Sequence, residues 1–589
     1  MSTPHRPDVS TMPATVVEAL RRLRGVNDLG HTYLDNAAKP TFFSFDALNE
    51  AAEQRGRRLL ARGLKKGDRV GMVLSQPKDF VISFLGCLYA GLVPVPMYPP
   101  LSFGKLDAWA DGALRILLDA EASLLLTDAQ LQNVLWQVVP KVKSLRDLLT
   151  VEKLDTVAPV TGDLPEVAPG DLCFLQYTSG STSAPKGVMV THGNLMANSW
   201  AIAVDGMALV PFAETAVSWL PLYHDMGLIG FVITPLVKGM AAVFIPTLLF
   251  VKRPNIWMQV MSDYKAQHTF GPNFAYALAV RKATDAELAK WDLSHSRVYG
   301  CGAEPIHLDT MLRFEATFER CGLKKGTIMP AYGMAEATLA MSFHPPGSQV
   351  FASALHDDGP AFVSCGRTFS LHEMGVMDEE GNLLGENVEG ELVHRGPSVT
   401  PGYWKNPEAT AACFLPSGWL RTGDLGFIRD GNVYITGRSK DLIILNGRNH
   451  HPTTIEWAAA EVEGVRKGNV VAFSVPGQDS EELVVVAETR PEPPAGTAEN
   501  ITRAVAEQLS LKVSDVVLLG AGQLPKTSSG KLQRNKTRQQ YVSGELGKQG
   551  DRTLGSSGEK LTVAKHVAKS IWGRATHTAS KIINRPTET

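Results

Sequence analysis

Cysteine is scarce in this sequence, with six residues in a chain of 589. The cysteines are scattered and form no CxxC pair, and no two histidines stand at a zinc-binding spacing. This pattern argues against a disulfide-stapled secreted scaffold and against a structural zinc site, and it predicts a reduced, intracellular protein. The six positions are Cys87, Cys173, Cys301, Cys321, Cys365 and Cys413.

The sequence also has no excess of positive charge, since 58 Lys and Arg stand against 60 Asp and Glu, for a net charge of −2. That balance argues against a nucleic-acid partner bound through bulk charge. The N-terminus has no apolar core long enough for a signal peptide. Residues 227–251 are long enough to span a membrane, but Lys238, Pro235, Pro246 and three glycines favour a buried βα segment. We therefore expect a cytoplasmic protein.

The chain is too long for one ordinary hydrophobic core and should divide into at least two domains. The run RVGMVL (69–74) has the composition of a buried strand, residues 77–91 that of a helix, and LVPVPMY (92–98) that of a second strand. This order predicts a βαβ unit with parallel strands. Similar runs recur, so we predict a large α/β domain over residues 1–436, with ligands at the carboxyl ends of its strands.

The pattern changes near Gly437, where paired strands, a Pro-rich break, a helix and a last strand predict a small α+β domain over residues 437–545. A polar tail follows over residues 546–589. Within it, residues 559–583 place apolar side chains near one helical face with lysines beside them. Such a helix would make a peripheral contact with an anionic membrane or with an acidic carrier protein. The alternative is a packed or frayed C-terminal segment.

The stretch YTSGSTSAPKGV (177–188) has the composition of a phosphate-binding loop. Glycines expose backbone N–H groups, hydroxyls donate hydrogen bonds, and Lys186 supplies a cation. The usual nucleotide-loop pattern is missing, because Pro185 precedes the lysine and Gly187 follows it. Taken alone, such a segment is more often a turn.

Four further segments follow this loop in a fixed order, and together the five resemble the adenylate-forming superfamily. That superfamily includes acyl-CoA synthetases, fatty acyl-AMP ligases and the adenylation domains of peptide synthetases. The resemblance covers roughly residues 30–540 and implies a large adenylation domain with a small mobile domain behind it. The four segments are YGMAEAT (332–338), GWLRTGDLG (418–426), ITGRSKDLI (435–443) and LPKTSSGKLQR (524–534).

The resemblance implies a site for ATP and Mg²⁺ in which a carboxylate attacks the α-phosphorus and pyrophosphate leaves. It implies that Glu336 and Thr178 hold the metal, since Mg²⁺ prefers oxygen ligands, and that Asp424 and Arg438 bind the ribose. For the phosphates it implies Thr178, Ser179, Gly180, Ser181, Thr182 and Lys186. For the adenine it implies Tyr332, Gly333, Met334, Ala335, Gly302, Ala303 and Glu304.

The resemblance also assigns roles to two lysines of the C-terminal segments. Lys531 would reach into the site and bridge the incoming carboxylate and the α-phosphate. Lys440 would be the hinge about which the small domain swings between adenylation and thioester formation, a motion that needs only a few residues. Without the surrounding motif, Lys531 would be one more solvated lysine.

Several segments resemble the fatty acyl-AMP ligases in particular. PLYHDMGLIG (221–230) has the form of their acyl-recognition segment, which implies a place for His224 near the acyl carboxylate. A histidine beside Tyr and Asp is also often a satisfied structural residue. Ala335 stands where CoA-forming relatives usually carry Thr. Candidates for the wall of an acyl tunnel are Met226, Gly227, Phe231 and Phe274.

Fatty acyl-AMP ligases carry an insertion after AEAT that is thought to restrain the small domain and to disfavour CoA. Residues 339–362 fill that interval here, and the segment is shorter than the usual insertion. We therefore expect activation of a fatty acid followed by transfer to the phosphopantetheine thiol of an acyl carrier protein, with a medium- or long-chain acyl-CoA ligase as the alternative. A non-catalytic lipid- or nucleotide-binding relative is a remote third reading, disfavoured by the intact motif residues.

Overall fold

A computed structural model describes residues 4–100, 106–178, 185–356, 360–445, 448–477, 481–527 and 530–547. The α-helices in these ranges are α1 Val16–Arg22, α2 Phe45–Ala61, α3 Pro77–Tyr89, α4 Leu106–Asp119, α5 Gln132–Leu135, α6 Val151–Leu154, α7 His192–Ala201, α8 Asp225–Leu228, α9 Thr234–Lys238, α10 Thr247–Lys252, α11 Ile256–Asp263, α12 Asn273–Lys282, α13 Asp285–Leu288, α14 Leu308–Phe318, α15 Pro407–Cys413, α16 Pro452–Ala460, α17 Thr497–Leu509 and α18 Arg534–Val542.

The strands are β1 Gly30–Leu34, β2 Pro40–Ser44, β3 Arg69–Val73, β4 Val93–Pro96, β5 Leu124–Thr127, β6 Asp147–Thr150, β7 Leu172–Thr178, β8 Lys186–Thr191, β9 Thr215–Ser218, β10 Ala241–Phe244, β11 His268–Gly271, β12 Val298–Cys301, β13 Ile328–Gly333, β14 Ala340–Phe343, β15 Ala352–Ala354, β16 Ala361–Val363, β17 Arg367–Thr368, β18 Glu373–Met377, β19 Leu383–Leu384, β20 Gly390–Arg395, β21 Leu420–Arg429, β22 Asn432–Arg438, β23 Ile443–Leu445, β24 Arg448–His450, β25 Val465–Pro476, β26 Glu481–Thr489 and β27 Val513–Leu519.

The first βαβ unit predicted from the sequence is present. Strands β3 and β4 are parallel, with α3 between them along the chain, and they belong to a four-stranded sheet of order β4-β3-β5-β6. Helix α3 is buried along almost its whole length, because it packs between this sheet and helix α2. The α/β class predicted for the N-terminal part is therefore confirmed.

A nine-stranded sheet of order β17-β14-β13-β12-β11-β9-β10-β1-β2 forms the largest layer. Its central strands β9, β11, β12 and β13 are parallel neighbours, so their carboxyl ends lie along one edge. His224 follows β9, Phe274 follows β11, Gly302 follows β12, and Tyr332 lies at the end of β13. Predicted site residues from four separate segments therefore meet at one edge, as expected for an open α/β sheet.

The apolar stretch 227–251 folds into α8, a π-helical turn Ile229–Ile233, α9, strand β10 and α10. Most of its side chains are buried in the main core, as the prediction of a buried βα segment requires. Across the described ranges, the helices are all too short or too polar to cross a membrane.

Two antiparallel units bring further motif residues towards the sheet edge. Strands β7 and β8 form a hairpin that pairs Thr178 with Lys186, and the loop 179–184 between them lies outside the described residues. A five-stranded sheet of order β19-β18-β20-β21-β22 pairs Asp424 with Arg438 on its last two strands.

The C-terminal part is built on a three-stranded sheet in which β25 and β26 are antiparallel and β26 and β27 are parallel. Helices α16 and α17 pack on this sheet around an apolar cluster of their own, which includes Ile455, Val485 and Ile501. The predicted α+β class is therefore confirmed. Strand β22 ends at Arg438, two residues past the boundary predicted at 436. The predicted tail helix at 559–583 lies outside the described residues.

Candidate active site

The predicted ribose-binding residues form one hydrogen-bonded group. Asp424 is only 7% exposed. The Tyr332 hydroxyl donates to Asp424 Oδ2 at 2.7 Å, and Arg438 Nε donates to Asp424 Oδ1 at 3.0 Å. The carboxylate of Asp424 raises the pKa of Arg438, and burial together with the same carboxylate raises the pKa of Tyr332. The Asp424 carboxylate is thus fixed in orientation by donors from β13 and β22.

Glu336 lies in the 3₁₀ turn Ala335–Ala337 and is 9% exposed. Its Oε1 accepts a hydrogen bond of 2.6 Å from the Tyr403 hydroxyl. Lys186, paired with Thr178 across the β7–β8 hairpin, places Nζ 4.9 Å from the centre of the Tyr403 ring. The predicted metal ligand Glu336 and the phosphate-loop lysine therefore both contact Tyr403.

The carboxylate of Glu336 suits a hard cation. Burial raises the pKa of Glu336, and the hydrogen bond from Tyr403 opposes that rise. Asp225 adds a second carboxylate to the same electrostatic environment. Mg²⁺ is usually held by one or two carboxylates together with the phosphates of a nucleotide. The donor set therefore fits Mg²⁺ bound with a nucleotide, although the described part of the chain contains no cluster of three or more metal-binding side chains.

The loop that carries Lys531 is held by local and long-range contacts. The Lys531 N–H donates to Thr527 Oγ1 at 3.0 Å, and Thr527 N–H donates back to the Lys531 carbonyl at 2.8 Å. Three residues further on, Arg534 forms a bidentate pair with Glu456, with both contacts at 2.7 Å, and a 2.9 Å contact with Asp441. These contacts tie the lysine loop to the segment next to the predicted hinge.

Lys531 is electrostatically coupled to carboxylates of the N-terminal part. Burial lowers its pKa, while the charges of Asp225, Glu304 and Asp424 favour the ammonium form. Burial raises the pKa of Glu304, and Lys531 opposes that rise. The loop also approaches helix α12, because a Cβ on Gly530 would stand 3.6 Å from the Phe274 ring.

His224 and Asp225 form a close pair after strand β9. His224 Nδ1 lies 2.5 Å from Asp225 Oδ1. Burial alone would raise the pKa of Asp225, but His224 and Lys531 outweigh burial and lower it to about 2. Asp225 is therefore an anion at neutral pH, paired with the predicted acyl-recognition histidine and influenced by the charge of the predicted catalytic lysine.

The predicted adenine wall is built from backbone at the ends of β12 and β13. A Cβ on Gly302 would lie 2.7 Å from the Ala331 carbonyl oxygen, so only glycine allows these strand ends to approach. Ala303 follows with a φ of 72°. Glu304 Oε1 accepts a 3.3 Å hydrogen bond from the Phe274 N–H. The remaining members, Gly333, Met334 and Ala335, lead from β13 into the Glu336 turn.

The candidates for the acyl wall differ in their surroundings. Phe231 is buried, with its ring 6.1 Å from that of Phe270. Phe274 is 38% exposed and lies edge-on to Trp219 at 6.1 Å. Met226 is partly buried against the core. Gly227 packs its backbone against Pro221, where a Cβ would stand 2.3 Å from the carbonyl oxygen.

Two groups of predicted residues do not enter this description of the site. Ser179, Gly180, Ser181 and Thr182 lie outside the described residues, so only the two ends of the phosphate loop are located. Lys440 is exposed in the turn Ser439–Asp441, immediately after Arg438. Its location next to the end of β22 is what the hinge prediction requires, while its role stays a prediction.

Comparison with known proteins identifies the family. Residues 28–404 match the AMP-binding enzyme family, and residues 440–550 match the AMP domain of Disco-interacting protein 2-like proteins. The chain belongs to the AMP-binding enzyme family. The resemblance to the adenylate-forming superfamily is thereby confirmed, and this protein is an adenylate-forming enzyme.

Named relatives of this AMP-binding enzyme differ in their thiol acceptor. A Caulobacter vibrioides protein provisionally named an acyl-CoA synthetase is 38% identical, covering 85% of this chain and 90% of its own. JamA of Moorena producens, a medium-chain-fatty-acid–[acyl-carrier-protein] ligase, is 34% identical, covering 88% of this chain and 93% of its own. A solved structure from studies of the fatty acyl-adenylate ligases of E. coli and L. pneumophila is 31% identical, with a TM-score of 0.84. The match covers 92% of this chain and 99% of the solved one.

Two residues of the AMP-binding enzyme's site were not predicted from the sequence. Asp225 directly follows His224, and that adjacency was a usable signal, because an acidic neighbour would orient the imidazole. Tyr403 lies more than 60 residues beyond Glu336 in GYWKNPEAT, outside the five motifs. Its hydrogen bond depends on a contact between distant segments, so the sequence alone gave no signal for it.

Proposed function

We propose that this enzyme uses ATP and Mg²⁺ to convert a fatty acid to fatty acyl-AMP, with release of pyrophosphate, and then transfers the acyl group to the phosphopantetheine thiol of an acyl carrier protein. The observation that supports the proposal is that the Lys531 loop of the C-terminal part lies against the N-terminal part, since a Cβ on Gly530 would stand 3.6 Å from the Phe274 ring. In that position the charges of Asp225, Glu304 and Asp424 act on the Lys531 ammonium group.

The reaction requires this cation because two anions must meet. A carboxylate oxygen forms a bond to the α-phosphorus, and the bond from that phosphorus to the oxygen bridging the β-phosphate breaks. Negative charge grows on the α-phosphoryl oxygens and on the leaving pyrophosphate. Lys531 would lie against the carboxylate and the α-phosphate, where a preorganised cation stabilises the transition state more than the ground state.

The nucleotide would be held by residues from both parts of the chain. Asp424 would accept hydrogen bonds from the ribose hydroxyls, and Arg438 would donate to the same sugar. Lys186, with the loop that follows Thr178, would bind the leaving phosphates. Glu336 and Thr178 would hold Mg²⁺, which when bound neutralises phosphate charge.

The acyl chain would enter next to His224, whose imidazole is oriented by Asp225. Apolar surface near Phe231 and Phe274 would cover the chain, and each buried methylene contributes about 0.8 kcal/mol. Support for a fatty substrate comes from the named relatives, since JamA is a medium-chain-fatty-acid ligase and the E. coli and L. pneumophila proteins are fatty acyl-adenylate ligases.

The segment after the Glu336 turn supports a carrier protein as acceptor. Strands β15 and β16 of this segment form a hairpin, and Arg429 binds the carbonyl groups of Ala354 and Leu355 at 2.8 and 3.2 Å. The Phe362 ring lies 6.4 Å from that of Trp457 in the C-terminal part. The hairpin would therefore restrain the swing of the C-terminal part, and by the family resemblance such a restraint disfavours free CoA more than a thiol carried by a protein.

The second candidate is an acyl-CoA ligase. It is favoured by the Caulobacter relative, whose provisional name is that of an acyl-CoA synthetase, and by the short interval 339–362. A catalytically silent binding protein is a third, remote reading, and Lys186, Glu336, Asp424, Arg438 and Lys531 argue against it because all five are present.

A mass-spectrometric assay tests the proposal. Purified protein would receive a series of fatty acids with ATP and Mg²⁺, then CoA or a holo carrier protein, and every acylated product would be recorded. We expect fatty acyl-AMP in the first step and an acylated carrier in the second. Acyl-CoA as the main product would favour the second candidate, and no pyrophosphate with any fatty acid would favour the third. A Lys512→Ala variant, altered at an exposed lysine of the C-terminal part, is the control for a Lys531→Ala variant.

A further inference from the structure

Tyr403 contacts both a predicted metal ligand and the predicted phosphate-loop lysine. Its hydroxyl donates to Glu336 Oε1 at 2.6 Å, and Lys186 Nζ lies 4.9 Å from the centre of its ring. The side chain is 6% exposed. A single buried side chain thus contacts two charged groups of opposite sign. Its hydroxyl binds the Glu336 carboxylate, and its aromatic face lies against the Lys186 ammonium group.

The backbone around Tyr403 is fixed on both sides. The Thr400 N–H donates to the Glu336 carbonyl at 2.9 Å, and the Trp404 N–H donates to the Gly187 carbonyl at 2.7 Å. Residues 400–404 therefore bridge the Glu336 turn and the strand that begins at Lys186.

Gly402 allows this bridge to form next to Tyr403. Its φ is 126°, in the region that favours glycine, and a Cβ at this position would stand 2.3 Å from the Thr410 side chain. The Tyr403 N–H donates to Thr410 Oγ1 at 3.0 Å. Both the direction of the tyrosine ring and its distance from Glu336 are thus set by the fold.

We propose that Tyr403 is a positioning residue: its hydroxyl fixes the Glu336 carboxylate through Oε1 and leaves Oε2 for a divalent cation, and its ring confines the ammonium group of Lys186. This inference rests on the proposed function, since it assumes a metal–nucleotide complex in this site. The hydroxyl acts on the metal ligand, and the ring acts on the phosphate-binding cation through the attraction between a cation and an aromatic face. The two parts can be removed separately.

Three variants test the assignment. Tyr403→Phe removes the hydroxyl and keeps the ring, and Tyr403→Leu removes both. Tyr89→Phe is the matched control, because Tyr89 is a buried tyrosine on α3 that donates a 2.7 Å hydrogen bond to Asn49 outside the site. The measurements are Mn²⁺ binding in the presence of a non-hydrolysable ATP analogue by electron paramagnetic resonance, analogue binding in EDTA, and the melting temperature.

For Tyr403→Phe we expect Mn²⁺ binding to weaken by about 10- to 100-fold, the usual effect of losing an outer-shell partner of a metal ligand. Metal-free analogue binding should stay within about twofold of wild type, since the ring still faces Lys186. Tyr403→Leu should also weaken metal-free analogue binding.

Each other result overturns the inference in a distinguishable way. Wild-type Mn²⁺ binding in Tyr403→Phe would mean that the hydroxyl does not position the ligand. Equal losses of metal-dependent and metal-free binding, with a melting temperature below that of Tyr89→Phe, would assign Tyr403 a structural role only. Absence of Mn²⁺ binding in the wild-type protein would overturn the proposed function and this inference with it.

Discussion

At the scale of single residues, Lys531 is the group on which the proposed chemistry depends most. Replacing it with Ala removes the cation that would face both the carboxylate and the α-phosphate. We expect pyrophosphate release to fall by about 100- to 1,000-fold, the usual effect of losing one preorganised electrostatic contact. ATP binding should change little, because Asp424, Arg438 and Lys186 remain. Stopped-flow pyrophosphate release and nucleotide titration give the two quantities.

The control for this variant is Lys512→Ala, which alters an exposed lysine of the same part of the chain. This variant should retain both pyrophosphate release and ATP binding. If Lys531→Ala lost nucleotide binding and turnover to the same extent, the lysine would serve nucleotide affinity or folding, and its catalytic role would be wrong.

The residues of the site divide into those that a motif reveals and those that only the fold reveals. Asp424 and Tyr332 lie in separate motifs, and their order in the sequence was enough to predict a common site; in the structure they share a 2.7 Å hydrogen bond. Tyr403 lies in no motif, and its hydrogen bond to Glu336 is set by strand packing. Long-range contacts of this kind cannot be read from local composition.

At the scale of elements, strand β20 contains a buried histidine that should make stability depend on pH. His394 has no solvent exposure, and its ring lies 5.6 Å from that of His372. Burial lowers the pKa of His394 to about 3, below the value of about 6.5 that an unfolded chain would show. The unfolded chain therefore binds the proton more readily, and stability is lost as the pH falls through 6.5 towards 3.

Between pH 7 and pH 5 this one residue should lower the free energy of unfolding by about 2 kcal/mol. Urea unfolding of the wild type and of His394→Phe at the two pH values measures the difference. The variant should lose that part of the pH dependence, since the phenyl ring takes no proton. An unchanged pH dependence in the variant would show that His394 does not titrate on unfolding.

The elements differ in how far their sequence predicts them. Helix α3 and strands β3 and β4 follow from long apolar runs between turn residues, so their order and parallel pairing were predictable. The hairpin β15–β16 was not predicted. Its first strand is Ala-Ser-Ala, which has no apolar alternation, and it forms because Arg429 and the neighbouring strand hold it.

The hairpin also leads to a prediction about the acceptor. Trp457→Ala would remove the ring that faces Phe362 at 6.4 Å and His307 at 5.6 Å. An aromatic pair contributes about 0.5–1.5 kcal/mol, so the C-terminal part should leave the position that presents Lys531 about 2- to 10-fold more often. We expect acyl-CoA to rise relative to acyl carrier protein product in a competition assay. The control is Val542→Ala, at a largely exposed side chain of α18. An unchanged ratio of acyl-CoA to acyl carrier protein in Trp457→Ala would contradict the idea that the hairpin restrains the C-terminal part.

At the scale of the whole molecule, the two proposed half-reactions require different positions of the C-terminal part. The position described here brings Lys531 to the N-terminal carboxylates, with His451 Nε2 3.1 Å from Glu389 Oε1 and His307 Nε2 4.0 Å from Glu461 Oε1 across the interface. Separation of the two parts would break these polar contacts and the aromatic contacts of Trp457 with Phe362 and His307. The thiol acceptor would then reach the acyl-AMP from the side that the lysine loop had covered.

Lys440 is the predicted hinge, so it is the residue at which we expect this separation to be blocked. It lies exposed in the turn Ser439–Asp441, directly after strand β22, and proline fixes φ near −65°, a value that 3₁₀ turns already use. Lys440→Pro should therefore keep the adenylation position and lock it. We expect pyrophosphate release in the first turnover to stay within about twofold of wild type, because proline is tolerated in the first turn of a helix, while transfer to the holo carrier protein falls sharply. Single-turnover assays measure adenylation and acyl transfer separately. The control is Lys440→Ala, which leaves φ free and should retain both steps. Equal rates of transfer in Lys440→Pro and Lys440→Ala would mean that the rotation occurs elsewhere in the chain.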